Sequence, residues 1–553
     1  VSAFPTVRAK AFIAATAALA AGPICVELLF GGKGKKFVFV ASDVFYYLTV
    51  ARNVVTVGRV SFDGERLTNG FHPLWQAMCV VAVGVTRLFR MDDGVPVMLT
   101  LLLGAALLVL AVWALGLALL DDEGSLSPAI LIVPFGFGTC LYAPIALLGW
   151  EKLGRVSSSL WGAVNGMESA LAIAAYSCLA AVCVRANRHR HYPLLLGLAL
   201  STLAMARLDH AIFSITIGAG LIAFDKTTER RKSFIAVGIF LTVLCLYAAI
   251  NKAAFGLAMP ISGALKSTFP DVTPSNRKLL EQMLSGPTRL PITHAQRALQ
   301  IIIPSIFAFV HVCVGAFRLF RKGRPERRID LFLFLSAPAV LGLALYNFCF
   351  VPKLNQGFWY FPVSFFYVSV YVIRLTDGLF ARLGSRMAAG AGIACAVATL
   401  LGYLWVRPSS SDSSRAEFFY EEAPKIRAFY GSSPPKILEY DDGIITYATG
   451  FRAMSGMGLT LDAGAIEAAG GIGAHRTNRN SLLELALERG FNRFCTFSYP
   501  GRPRLTSESS DRDIRNAYAH LIGRQGRRFV FHVEYASSDG ALSIVEARRR
   551  GDS

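Results

Sequence analysis

The chain has 553 residues, 54% of them hydrophobic, and a mean hydropathy of +0.46; a globule of that length cannot hide so much apolar surface from water. A soluble enzyme is excluded, and a polytopic membrane protein is predicted. The net charge of +19 would suit a nucleic-acid binder, but the basic residues sit in short loops between apolar runs, where they set orientation in a bilayer. No nucleic-acid partner is expected.

In chain order, the first apolar run, 11–30, exceeds a signal-peptide core and reads as a retained anchor. Two hydrophilic motifs follow, SDVFYYLTVARN (42–53) and FDGERLTNGFHPLW (62–75). Val44, Tyr47, Leu48, Ala51 and Val54 repeat at helical spacing, which predicts an amphipathic helix over 42–57 lying on the membrane surface. Ser42 is its expected N-cap, and Asp43 falls in the first turn, where the helix dipole favours an ionised carboxylate. Asn69-Gly70 marks a turn and Pro73 opens the next helix, which leaves Asp63, Glu65, Asn69 and His72 on a structured loop.

One helical span needs about 20 apolar residues. Such runs recur at 73–90, 94–120, 128–149, 166–184, 234–255, 298–319, 330–350, 359–374 and 386–406, while ARLDH (206–210) splits the run 193–224 into two short halves. The basic loops 185–191, 225–232, 321–328 and 374–386 are cytoplasmic by the positive-inside rule. That puts NGME (165–168), ARLDH, the loop 256–297, the loop 351–358 and the tail on the outer face. If the first loop, 31–72, is also outside, the run 73–90 starts and ends on the outer side. Either 73–90 is then a juxtamembrane or re-entrant helix, or 128–149, with Pro128, Pro134 and Pro144, is broken. Nine of the ten cysteines lie in apolar runs, so no disulfide framework or zinc knuckle is expected.

The tail, 407–553, is charged and carries an amphipathic segment at 480–491 and two alternating runs around Ser538-Asp539-Gly540. The expected architecture is mainly α: a membrane domain of about 11–12 hydrophobic helices over 1–406, with a C-terminal α/β extramembrane domain over 407–553.

The two opening motifs, followed by NGMESALA, ARLDH, FGLAMPISGALKSTFP and WYFP, form an ordered set over residues 42–362, extended more weakly by 442–466. This set resembles bacterial integral-membrane glycosyltransferases of the GT-C superfamily, kin to protein O-mannosyltransferases and the lipid A aminoarabinose transferase. The resemblance implies a GT-C-like membrane domain that transfers a sugar from a polyprenyl-phosphate carrier to a lipid, glycan or protein acceptor. It implies work at the outer, periplasmic face of the bacterial cytoplasmic membrane, among membrane lipid, with an acid of the first outer loop as base. The group's pattern begins with two acids, and Ser42 replaces the first here. The motifs make no cofactor certain; a divalent metal stays open, short of that one carboxylate.

The chemistry asks for the same residue types. An acceptor hydroxyl needs a carboxylate to take its proton; Asp43 is the first candidate, with Glu168 and Asp63 behind it. The departing phosphate needs fixed cations or donors, for which Arg207, Lys266 and His72 are candidates, and Asn69 and Asp209 stand beside them. Tyr46, Tyr47, Trp359 and Tyr360 offer aromatic faces to a sugar or to the lipid boundary. Structural readings stand alongside: Asp43 as a helix-start residue, Arg207 and Asp209 as a self-neutralising pair, Lys266 as a snorkelling lysine, His72 as a turn residue, and Trp359 and Tyr360 as belt aromatics. Two other functions fit the same features, a flippase or transporter of lipid-linked sugars and a non-catalytic glycan assembly factor. No internal repeat is evident, which disfavours transport.

Overall fold

The computed structural model of the chain describes residues 6–31, 40–120, 160–185, 189–225, 227–272, 292–322, 327–351, 360–382, 418–440, 443–456, 460–468, 479–497, 504–522, 528–537 and 542–550, with isolated positions between. Helix α1 (Val7–Phe30) is followed by two shorter helices, α2 (Val44–Val57) and α3 (Pro73–Leu88), and by α4 (Gly94–Leu119). Next come α5 (Ser169–Arg185), α6 (Tyr192–Ala206), α7 (Ala211–Phe224), α8 (Thr227–Phe255) and the short α9 (Ile261–Lys266). Three further helices, α10 (Ile292–Lys322), α11 (Arg328–Phe350) and α12 (Pro362–Arg382), complete the described membrane domain. Among the described residues, α1, α4, α11 and most of α8 and α10 are long and apolar enough to cross a bilayer. The protein is a multi-pass membrane protein. The run 193–224 is two helices joined by a 3-10 turn, Leu208–His210. Nearly all of 128–149, with any break in it, and most of 386–406 lie outside the described residues.

Arg185 Nε donates to the Leu117 carbonyl at 2.8 Å, which brings the last turns of α4 and α5 to one end of the bundle. The opposite end carries the first loop and the C-terminal domain. Helix α3 belongs to that end: Gln76 near its start donates to the Tyr47 carbonyl at 3.1 Å, and Arg87 near its finish shares a polar crevice with Arg52 and Arg452. Its 16 residues span about 24 Å, short of the roughly 30 Å of a hydrocarbon core.

The C-terminal domain follows as α13 (Ala423–Tyr430), β1 (Lys436–Glu439), α14 (Ile444–Thr449), β2 (Arg452–Ser455), α15 (Ala463–Ala468), α16 (Arg479–Glu488), β3 (Arg493–Phe497), α17 (Asp511–Ile522), β4 (Phe529–Ala536) and β5 (Leu542–Arg549). Its strands form one sheet in the order β2-β1-β3-β5-β4. β1 pairs with β2 and β3 in parallel, and β5 pairs antiparallel with β3 and β4. The amphipathic segment of the tail is α16, and the two alternating runs pair as β4 and β5.

The structure corrects two expectations about α2. Asp43, and not Ser42, occupies the N-cap position, and its carboxylate makes no capping bond. Nor does α2 keep a bare face over 44–51, because every residue there is buried within the protein. The unforeseen partner is the C-terminal domain. Gly443, at φ 85°, approaches so closely that a Cβ there would meet the Tyr46 backbone nitrogen at 3.0 Å. Arg52 donates to the carbonyls of Tyr447 (2.8 Å) and Thr446 (3.2 Å), and the Phe45 and Tyr447 rings meet at 5.7 Å.

Candidate active site

A cavity of about 480 Å³ opens where the start of α2, the end of the first loop, the turn between α6 and α7, and α9 converge. Glu168 stands at its centre, completely buried. The chain reaches it through Gly166, whose φ of 85° few other residues adopt and whose carbonyl accepts from Trp75 Nε1 at 2.9 Å. Arg207 Nη1 donates to Glu168 Oε1 at 2.6 Å, and its Nε and Nη2 donate to the two oxygens of Asp209 at 2.9 Å each. The Tyr47 hydroxyl donates to Glu168 Oε2 at 3.1 Å and accepts from the His72 backbone N–H at 3.3 Å. His72 Nδ1 accepts from the Leu208 N–H at 3.3 Å, which leaves Nε2 to carry the proton, 3.5 Å from Glu168 Oε1. The Tyr360 ring lies under the Arg207 guanidinium at 4.9 Å.

The electrostatics follow from this packing. Burial alone would raise the Asp209 carboxyl, but the Arg207 guanidinium overrides it and holds the group well below the usual carboxylate range. Burial would likewise pull Arg207 down; Asp209 and Glu168 more than reverse that and keep it firmly charged. Burial pushes the neighbouring His210 imidazole down to about 3, so it stays neutral.

Of the residues expected at the site, Asp43, His72, Glu168, Arg207, Asp209 and Tyr360 line this one cavity, as do Tyr46 and Tyr47. Three of these are placed differently from expectation. Arg207 is held by two carboxylates, which take one donor each from Nε, Nη1 and Nη2. Tyr360 is buried against that arginine and not spread at the lipid boundary. The Tyr46 hydroxyl accepts from Ser455 Oγ at 3.3 Å. Two others lie apart from the cavity. Asp63 Oδ1 accepts from Ser61 Oγ and from the Glu65 and Arg66 N–H groups at 2.7 to 2.9 Å, so it shapes its own loop. Asn69, 1% exposed, donates to Asn251 Oδ1 at 2.8 Å and accepts from the Ile261 N–H at 3.0 Å. It therefore fastens α9 to the first loop. Lys266 ends α9, its side chain outside the description, and Trp359 lies outside the described residues. Thr460, from the C-terminal domain, also lines the cavity; a lone threonine in a loop gives no signal in sequence.

No group of three or more His, Cys, Asp or Glu side chains among the described residues could hold a metal ion. At the cavity, Glu168 and Asp209 are committed to Arg207 and Ser42 stands where a second acid is expected, so the donor set does not fit a divalent cation.

Fold and site together define a polytopic, mainly α-helical membrane protein with a C-terminal five-stranded sheet. A solved structure with a similar fold is ArnT from Cupriavidus metallidurans bound to undecaprenyl phosphate, which aligns at a TM-score of 0.53 with 13% identity over 97% of each chain. ArnT from Cupriavidus metallidurans in the apo state aligns at a TM-score of 0.46, with 13% identity over 96% of this chain and 98% of that one. No family model matches the sequence, and neither does any curated protein.

Proposed function

We propose that this protein is a membrane glycosyltransferase that moves a sugar from a polyprenyl-phosphate carrier to a lipid, glycan or protein acceptor at the outer face of the cytoplasmic membrane. The observation that carries this reading is the convergence of Asp43, the Glu168 network and α9 on one cavity at the extramembrane end of the bundle. A carrier of the class bound to the matched ArnT suits a cavity whose wall is largely apolar, with Val50, Phe71, Met167, Ile212 and Phe269 among its lining.

In this reading the Asp43 carboxylate takes the proton of an acceptor hydroxyl as that oxygen bonds to the anomeric carbon. The bond from that carbon to the carrier phosphate breaks, and its electron pair leaves with the lipid phosphate. The Tyr47–Glu168–Arg207–Asp209 network is the rigid frame that holds α2, the first loop and the 207–210 turn in register. Lys266, at the end of α9, is the cation for the leaving phosphate. Lys266→Met is expected to lower transfer from a polyprenyl-phosphate sugar without altering the unfolding temperature of the detergent-solubilised chain. Transfer from a nucleotide sugar with no lipid carrier present would overturn the donor assignment.

Orientation has its own test. Thr56 is exposed in the last turn of α2, and Thr56→Cys, in a background stripped of native cysteines, is expected to react with an impermeant thiol reagent in intact cells. Labelling only after the membrane is opened would place the cavity on the cytoplasmic side.

A further inference from the structure

The cavity has two chemically different walls. One carries the acid and the charged network. The other is formed by α9 and by the chain just beyond β2, where Ser262, Gly263, Ala264 and Thr460 line the same space. This second wall is fixed from the C-terminal domain. Ile261, Ala264 and Leu265 of α9 pack in one hydrophobic cluster with Leu461 and Ala465. Asp462, two residues beyond Thr460, is gripped by Arg489 through Nη1 at 2.6 Å and Nη2 at 3.2 Å.

Thr460 is only 8% exposed, and its hydroxyl, shielded from water, has no hydrogen-bond partner among the described residues. Buried hydroxyls are nearly always paired, and an unpaired one calls for an explanation. Asp462 is already engaged by Arg489 and by the Ala465 N–H, and no described residue takes the Thr460 hydroxyl. The residue lines the cavity, so an occupant there is the partner within reach of its hydroxyl. A hydroxyl is both donor and acceptor, which matches a sugar hydroxyl better than a phosphate, and Ser262 offers a second hydroxyl on the same wall.

We propose that Thr460 is a specificity-determining residue: its hydroxyl hydrogen-bonds a hydroxyl of the sugar being transferred, so the C-terminal domain takes part in choosing the sugar. The inference rests on the donor reading given above. The sugar then lies between two walls with separate tasks, recognition on the α9–Thr460 side and proton transfer on the Asp43 side.

The test is a binding measurement by native mass spectrometry on the full chain in detergent. Its probes are undecaprenyl phosphate and its glucosyl, mannosyl, galactosyl and arabinosyl esters. Thr460→Val, which keeps the shape and removes the hydroxyl, is expected to weaken the best-held ester about tenfold, the scale of one lost hydrogen bond to a group left unpaired. Undecaprenyl phosphate itself is expected to bind unchanged, and Thr460→Ser to restore the ester. Equal weakening of ester and bare lipid phosphate, or wild-type binding of the ester by Thr460→Val, would overturn the proposal while leaving the donor reading intact. A wild-type chain that holds neither the esters nor undecaprenyl phosphate would instead remove the donor reading, and the role of Thr460 with it.

Discussion

Asp43→Asn lowers sugar transfer about 100-fold or more, the scale of a lost general base, while the protein folds and holds its lipid donor as before. The substitution is nearly isosteric, and the carboxylate makes no capping bond that its loss would break. Asp63→Asn serves as the control, because that side chain is spent on its own loop and does not line the cavity; it is expected to transfer at close to the wild-type rate. Glu168→Gln is a poor control, since it strips a charge from a fully buried guanidinium pair. Transfer by Asp43→Asn within a few-fold of wild type would remove Asp43 from the chemistry.

Arg207→Met is expected to lose the fold around the cavity, and activity with it. Arg207 is 2% exposed and holds two carboxylates at once. Removing one partner of a buried ion pair typically costs about 3–5 kcal/mol, because the remaining charge is left uncompensated. The readout is the unfolding midpoint in detergent, expected well below wild type. Arg207→Lys is expected to fall between the two, since an ammonium keeps the charge but not the planar fork that spans both acids. An unchanged midpoint in Arg207→Met would show that the network does not frame the site.

The membrane helices were legible because a bilayer demands a length and a composition that survive any tertiary context; α4, Gly94–Leu119, falls within one residue of the apolar run read there. The split at ARLDH is legible for the same reason, since Arg and Asp at the centre of an apolar span are costly. Helix α2 shows the limit. Its periodicity was plain, but which faces are buried depends on residues 443–447, about four hundred positions later, and no local pattern carries that information. Asn69 shows another. Its motif marks a site, but its partners Asn251 and Ile261 lie 182 and 192 residues away, so its bracing of α9 could not be read locally. For Arg207, sequence shows Asp209 two positions on and cannot show Glu168 arriving from the turn before α5.

The clamp on α2 also sets a schedule for biogenesis. Arg52 and the carbonyl that it holds are separated by 395 residues, and at ribosomal speeds of about 5–20 residues per second the first must wait roughly 20 to 80 seconds for the second. During that interval Phe45, Tyr46 and Tyr47, all buried in the finished protein, have no C-terminal domain to cover them. Slowing synthesis of the tail would lengthen this vulnerable period without altering a single contact of the completed fold.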